Sequence, residues 1–163
     1  MKKVSKIVLS LLLVAALVMS NVAVPAKVDA ASSYGFKYNG VTIYMGSSAT
    51  KFIKKAGKPV KKTEKKSCAY NGKDRTYKYK YFTLTTYSKS NKGTEYANSV
   101  TITSKKVSTA EGIKIGDSVT KMTKKYGKNS GKFGVYTYTK GKSKLIFTTN
   151  SKKVITKIQY VMK

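Results

Sequence analysis

The carboxylates are the residues of this sequence that could act as acids, bases or metal ligands. A glycosidase needs two facing carboxylates, and a pairing of Glu95 with Glu111 stays open, although no feature of the sequence favours it. The absence of histidine excludes Ser-His-Asp triads and histidine metal sites. We therefore predict no catalytic, cofactor-binding or metal-binding residue, and no enzyme. The acids beyond residue 30 are Glu64, Asp74, Glu95, Glu111 and Asp117.

Two further kinds of chemistry are disfavoured by the sequence. Cys68 is the single cysteine, so an intramolecular disulfide is impossible. Since there is no histidine to activate its thiol, we interpret Cys68 as a small apolar packing residue and not as a nucleophile. The glycine-rich patterns that cradle phosphate groups, in P-loops and in dinucleotide-binding folds, do not occur.

The remaining chemical feature is the combination of tyrosine with lysine. All thirteen tyrosines lie after residue 30, and several alternate with other residues as in strands. Tyrosine suits interfaces and stacks on sugars or bases beside lysine, but the same alternation fits core and cross-strand packing. Both interpretations stay open. The candidate binding residues are Tyr77, Lys78, Tyr79, Lys80, Tyr81, Tyr136 and Tyr138.

The beginning of the chain has the pattern of an export signal. Lysines precede an apolar run over residues 7–19, and small residues follow at Ala30-Ala31. This order of basic, apolar and small residues is typical of a signal peptide, and the run is shorter than the ~20 residues of a membrane-spanning helix. We expect residues 1–30 to be removed, leaving a secreted chain without a membrane span.

The chain that remains after export is strongly basic. Loss of four lysines and Asp29 leaves 30 basic and 5 acidic residues of the original 34 and 6, a net charge of +25. Among the basic residues only Arg75 is arginine, whereas specific readers of phosphate or bases usually use arginine. The charge predicts attraction to anionic wall polymers, and to nucleic acid only non-specifically. A general bias toward lysine is the alternative explanation.

One stretch of thirteen residues occurs twice, seventy positions apart. Gly46–Lys58 aligns with Gly116–Lys128 without a gap and with eight identities. In each copy apolar residues recur at helical spacing. Each copy begins with residues suited to an N-cap and closes with a glycine suited to a left-handed helix end. The predicted caps are Ser47-Ser48 and Asp117-Ser118, and the predicted helix-end glycines are Gly57 and Gly127.

The segments after each helix predict strands joined by short turns. The charge run 61–66 is expected to be a solvated loop, and the shift of parity between Tyr81 and Phe82 a bulge or sharp bend. The predicted class is α+β: two similar units, each a short helix packed on about three antiparallel strands, joined into one sheet layer with an open face. The units are expected at 31–104 and 105–163.

The motif Ile113-Lys114-Ile115-Gly116-Asp117-Ser118, followed by Tyr126-Gly127, resembles the tandem-repeat fold of the beta-lactamase inhibitory protein. Gly46 with Ala56-Gly57-Lys58-Pro59 is similar to a motif of the small outer-membrane assembly lipoproteins. The resemblance covers most of the chain after residue 30, but the lipid-bearing cysteine and the inhibitor's disulfides have no equivalent. It implies a non-enzymatic protein that binds other macromolecules through the open sheet face. No inhibitor contact residue is carried over.

Two functions are therefore expected from the sequence. The first is a secreted, envelope-associated binding protein that its lysine-rich surface attracts to anionic polymers of the cell wall. The second, which the resemblance favours, is an extracellular binder of proteins or an enzyme inhibitor that uses the aromatic sheet face. Salt distinguishes them, because charge-driven binding weakens steeply with ionic strength.

Overall fold

The computed structural model describes residues 33–163, so the signal peptide predicted at 1–30 lies outside the described residues. Within this range no helix is long and apolar enough to cross a membrane. The helices are α1 (Thr50–Ala56) and α2 (Val119–Tyr126). The strands are β1 (Gly35–Tyr38), β2 (Val41–Tyr44), β3 (Lys61–Lys66), β4 (Lys73–Lys78), β5 (Phe82–Ser88), β6 (Glu95–Ile102), β7 (Val135–Lys140), β8 (Ser143–Thr149) and β9 (Ile155–Met162).

Seven of the strands form one antiparallel sheet in the order β3-β4-β5-β6-β9-β8-β7, and β1 pairs with β2 in a separate hairpin. The two halves of the chain meet where β6 pairs with β9, with Val100 opposite Tyr160. From this central pair, β5 and β4 follow on one side and β8 and β7 on the other. The predicted α+β class is therefore confirmed.

The core lies on one face of the large sheet. Phe36 of the β1–β2 hairpin is fully buried, and its ring lies 5.9 Å from Phe52 of α1, 4.9 Å from Phe82 of β5 and 5.8 Å from Tyr160 of β9. Met122 of α2 belongs to the same cluster. The hairpin and both helices thus cover one face, as short helices with a single apolar stripe require.

The two helices begin differently. Ser118 caps α2, because its Oγ accepts a hydrogen bond from the backbone N–H of Lys121 at 3.2 Å. The predicted serine cap of α1 is wrong: the N-cap position is Ala49, which has no side-chain cap. Ser47 instead donates its hydroxyl to the carbonyl oxygen of Tyr44 at 2.7 Å, since the segment before α1 is held by backbone bonds to β6.

Asp117, the residue before the N-cap Ser118, stabilises the turn that leads into α2. Its Oδ2 accepts from the backbone N–H of Lys114 at 2.9 Å, and its Oδ1 pairs with Lys121 Nζ at 2.9 Å. Burial by itself would raise the pKa of Asp117, but the hydrogen bond from Lys114 and the ion pair with Lys121 outweigh it and hold the pKa below its usual value. Asp117 is therefore a structural residue of the turn.

Gly57 and Gly127 end the two helices, but their backbone conformation differs from the predicted left-handed helical one. Gly57 and Gly127 have φ of 82° and 93°, as expected, but ψ of −162° and 166° place them in an extended conformation outside the left-handed helical region. This region is essentially accessible to glycine alone. A Cβ at Gly127 would meet no atom within 4 Å beyond its chain neighbours, so the backbone conformation is the main cost of a substitution there.

Gly127→Val is expected to lower the free energy of unfolding by about 1–3 kcal/mol, because a β-branched residue is strained at this φ and ψ. Urea unfolding followed by circular dichroism measures the change. Lys128→Val is the control, since the neighbouring side chain is exposed and its replacement leaves the glycine in place. Equal midpoints for the wild type and Gly127→Val would refute the conformational requirement.

Strand pairing decides two local predictions. Residues 61–66 form the exposed edge strand β3 and not a loop. Backbone pairing with β4 outweighs the run of charges, and lysines on an edge strand also oppose pairing with other chains. Of the two alternatives predicted for the parity shift after Tyr81, the structure has the sharp bend and not the bulge. The chain turns there from β4 into β5, and Tyr79 N–H donates to Phe82 O at 2.8 Å.

Candidate functional surface

The candidate site is the sheet face opposite the core, here called the open face. Along β5 the buried residues Phe82 and Leu84 alternate with half-buried Thr83, Thr85 and Tyr87. Side chains of a strand alternate between faces, so the pairing registers extend this assignment across the sheet. Threonine and serine predominate among the open-face residues: Thr63, Thr76, Thr83, Thr85, Ser99, Thr101, Thr137, Thr139 and Thr148.

The hydroxyls of this face bond to one another across strands. Thr85 and Ser99 lie 2.7 Å apart at their oxygen atoms. Gln159 of β9 donates its side-chain amide to Thr101 Oγ1 at 3.1 Å. These two bonds link neighbouring strands on the open face, which presents hydroxyl and amide groups as donors and acceptors.

Three tyrosines stack at one end of the open face. The ring of Tyr87 lies 5.3 Å from that of Tyr70 and 5.6 Å from that of Tyr96, with small interplanar angles. Tyr70 is 40 % exposed. Burial and the two neighbouring rings raise the pKa of Tyr87 above its usual value. The Tyr70–Tyr87–Tyr96 stack is thus an aromatic platform on the surface, of the kind on which sugar rings or bases stack.

Sequence reasoning missed this stack. Simple alternation along β6 predicts Tyr96 on the same face as Asn98, Val100 and Ile102, but a register shift between Thr85 and Thr86 leaves Asn98 without a partner in β5. The shift turns Ala97 to the core and Tyr96 to the open face, opposite Tyr87. A bulge of this kind leaves little signal in the sequence.

Four of the tyrosines that the sequence predicts as binding residues lie in the core and not on the open face. Tyr77, Tyr79, Tyr136 and Tyr138 are 4–8 % exposed and belong to the core. Tyr79 stacks on Phe82 at 4.6 Å, and Tyr138 donates its hydroxyl to the carbonyl oxygen of Gly127 at 2.9 Å. Their assignment to an exposed platform is therefore corrected in favour of packing, because the tyrosine side of these strands is the side that the helices and hairpin cover.

The remaining predicted residues are at the surface. Lys78 is exposed on the open face, as alternation with Tyr77 predicted. Lys80 lies in the β4–β5 turn with its Nζ 5.5 Å from the centre of the half-buried Tyr81 ring, a cation–π contact. Lys78 thus faces the same way as the tyrosine stack, whereas Lys80 belongs to the turn.

Charge on the open face is predominantly positive. The pairing registers direct Lys61 and Lys65 of β3 to this face together with Lys78, and Lys144 and Lys157 follow on the other half of the sheet. Among the described strand residues, Asp74 is the single acid on this face. The sheet therefore offers ammonium groups, hydroxyls and stacked rings on one continuous surface.

The other acids have structural partners. Glu95 accepts hydrogen bonds from the hydroxyls of Tyr77 and Thr86 at 2.8 Å each, and Arg75 Nη1 lies 3.4 Å from its Oε1. Arg75 also donates to Glu64 at 2.6 Å. Burial and the Glu95 carboxylate raise the pKa of Tyr77 above its usual value. This cluster joins β3 to β6 on the covered side of the sheet.

Glu111 is separate from this cluster, because its carboxylate accepts a hydrogen bond from Tyr126. The structure therefore gives Glu95 and Glu111 different partners.

Cys68 is exposed, so its interpretation as an apolar packing residue is wrong. It follows β3 in the connection to β4, which lies at the surface. Among the described residues no group of three or more His, Cys, Asp or Glu could hold a metal ion.

Comparisons with known proteins give little similarity. No protein-family model matches the chain, and no curated protein matches it. Among solved structures, an extracellular protein containing a SCP domain from Bacillus anthracis str. Ames is similar, with a TM-score of 0.41 and 10 % sequence identity. The similarity covers 73 % of this chain and 44 % of that protein. At this level of similarity, function must be argued from the surface itself.

Proposed function

We propose that this protein is exported and binds an anionic polymer of the cell envelope on its open face. The observation that carries the proposal is the composition of this surface. Lys61, Lys65 and Lys78 lie beside rows of hydroxyls and a tyrosine stack, and Asp74 is the single acid that the described strands place on this face. The net charge of +25 after signal removal attracts such a polymer from a distance.

Each part of the open face suits one part of a polymer of phosphate and polyol or sugar units. Lysine ammonium groups pair with phosphates as point charges and release counterions. Threonine and serine hydroxyls both donate to and accept from polymer hydroxyls. The rings of Tyr70, Tyr87 and Tyr96 offer flat surfaces for sugar rings. Lysine in place of arginine favours repeated contacts along a chain over bidentate recognition of one group.

We further propose that the two halves, 31–104 and 105–163, derive from one duplicated unit. Supporting this, Gly46–Lys58 and Gly116–Lys128 enclose α1 and α2, and β4-β5-β6 is followed across the sheet by β9-β8-β7. The two halves also differ. Strand β3 has no counterpart in the second half, and Ile113 and Ile115, which precede α2, lie outside the strands that the structure defines, whereas β2 precedes α1. A duplicated unit would give the polymer two similar surfaces in one sheet.

Replacement of Lys61, Lys65 and Lys78 by glutamine is expected to weaken binding to poly(glycerol phosphate). The slope of log affinity against log salt should fall by roughly 2–3 units, because each phosphate contact contributes ~0.7–0.9. Titrations between low and high salt measure both quantities. The control is the triple change of Lys51, Lys54 and Lys55 to glutamine, which removes the same charge from exposed positions of α1.

Equal losses in the two triple variants would show that net charge alone, and not the open face, attracts the polymer.

The second candidate function is an extracellular binder of proteins or an enzyme inhibitor, which the exposed tyrosine stack favours. In that case binding persists in molar salt and Tyr87→Ala removes it, whereas the lysine variants retain it. Tyr79→Ala and Tyr138→Ala are unsuitable for this test, because both side chains are in the core.

A further inference from the structure

A tight turn just before β7 carries the most exposed aromatic side chain of the described residues, Phe133. Lys132 and Val135 exchange two backbone hydrogen bonds of 2.9 Å each, so Phe133 and Gly134 form a two-residue turn. Both central residues have positive φ, 51° and 76°, as a type I′ turn requires. The turn is also bonded to the end of β8, because the N–H of Thr149 donates to Gly134 O at 2.8 Å.

Phenylalanine is an unfavourable residue at this position. Positive φ costs backbone energy for residues other than glycine, asparagine and aspartate, and type I′ turns accordingly favour Asn-Gly. The Phe133 ring is 104 % exposed relative to a reference residue, so packing within the described chain does not offset this cost. A single exposed apolar side chain is common, but strain at a bulky residue motivates a search for function. The ring is therefore suited to a contact outside the chain.

The surroundings of this ring are positively charged. Residues 118–163 contain twelve lysines and no acid. Lys132 precedes the ring in the turn, and Lys153 lines the same surface depression as Phe133. Lys152 belongs to the neighbouring turn between β8 and β9, and all three lysines are exposed. The turn thus presents an apolar ring next to ammonium groups.

We propose that the mature protein attaches peripherally to an anionic lipid surface, with the Phe133 ring inserted at the boundary between head groups and acyl chains. There the ring leaves water, while Lys132, Lys152 and Lys153 stay at the level of the anionic head groups. The centre of a protein interface is depleted in charged residues, whereas the neighbours of this ring are lysines. The combination of an apolar ring with lysines therefore favours a lipid surface over a protein pocket.

This attachment goes beyond the polymer binding proposed above and uses a different part of the sheet. The turn leads into β7 at one edge, whereas Lys61 and Lys65 lie on β3 at the other edge. The triple glutamine variant of Lys61, Lys65 and Lys78 should therefore retain insertion of the ring, so the two proposals can fail separately.

A single tryptophan in the turn tests the proposal, because the sequence contains none. Phe133→Trp is made in the mature chain, residues 31–163, which lacks the apolar run 7–19. With vesicles that contain phosphatidylglycerol, its emission is expected to shift to shorter wavelength and to be quenched by brominated acyl chains. Vesicles of phosphatidylcholine alone should bind at least about tenfold more weakly, because the lysines lose their anionic partners.

Val60→Trp is the matched control for insertion. Val60 is 74 % exposed and precedes β3 at the opposite edge of the sheet, so its tryptophan should stay in water. Adsorption of the basic protein by net charge alone would affect both tryptophans alike. Equal emission shifts for Phe133→Trp and Val60→Trp would therefore overturn the proposal, as would equal binding to the two kinds of vesicle.

Phe133→Asn separates insertion from folding. Asparagine is favoured at this position of a type I′ turn, so the melting temperature should rise by about 2–4 °C. Affinity for the phosphatidylglycerol vesicles, measured by sedimentation, should fall by about tenfold, as the loss of a buried phenylalanine side chain implies. Unchanged vesicle affinity of this variant would overturn the proposal. Unchanged Phe133→Trp emission at millimolar anionic lipid, the result expected if the ring instead enters a protein pocket, would also overturn it.

Discussion

Phe82→Ala is expected to lower the free energy of unfolding by about 3–5 kcal/mol, as replacement of a fully buried aromatic ring by alanine does. Phe82 is fully buried, and its ring centre lies 4.9 Å from that of Phe36, 4.8 Å from Tyr38 and 4.6 Å from Tyr79. Loss of the ring removes its burial and leaves a cavity between the hairpin, α1 and the sheet. A loss of this size is a large part of the ~5–15 kcal/mol stability of a typical domain.

Urea unfolding measures this effect, with Phe133→Ala as the control. Phe133 is 104 % exposed relative to a reference residue, so the same chemical change there should shift stability by no more than about 0.5 kcal/mol. If Phe82→Ala and Phe133→Ala have similar midpoints, the packing of the hairpin on the sheet described above is incorrect.

Glu95→Ala is expected to lower the free energy of unfolding by about 3 kcal/mol. Glu95 is the acceptor at the centre of the cluster on β4, β5 and β6, and its side chain is 21 % exposed. Its removal leaves the hydroxyls of Tyr77 and Thr86 without their acceptor and Arg75 with Glu64 as its remaining carboxylate. Removal of one partner from a largely buried charged cluster is strongly destabilising, because the other groups stay desolvated.

Asp74→Ala provides the matched control for this prediction. Asp74 is a half-buried acid of β4, a strand of the same sheet, but it lies on the other face. No salt bridge to it is found among the described residues. We expect a change of no more than about 0.5 kcal/mol. Equal destabilisation by Glu95→Ala and Asp74→Ala would show that the cluster contributes nothing beyond the general effect of losing an acid.

The local structure of this protein could be predicted well from the sequence. Apolar spacing located both helices, and the N-cap at Ser118 and the positive φ at Gly57 and Gly127 followed from residue type. Alternation also separated Lys78 from Tyr77 and Tyr79 correctly. These features depend on neighbours within a few positions, so the sequence carries them directly.

The candidate surface could be predicted only in part. Alternation assigns side chains to two faces of a strand, but burial depends on which face the hairpin and helices cover, and this decided that Tyr77 and Tyr138 lie in the core. The charge run at 61–66 became a strand because β4 offered it backbone partners. Such pairing energies come from residues of another strand, and local propensity does not contain them.

By itself the sequence determined the basic charge, the absence of histidine, the two helical segments and the alternating strands. Only the tertiary structure decided which aromatic groups are available to a partner. The Tyr70–Tyr87–Tyr96 stack requires the register of β5 with β6 and a bulge at Asn98. The stack depends on contacts between distant segments, whose geometry is set by the packing of the whole core.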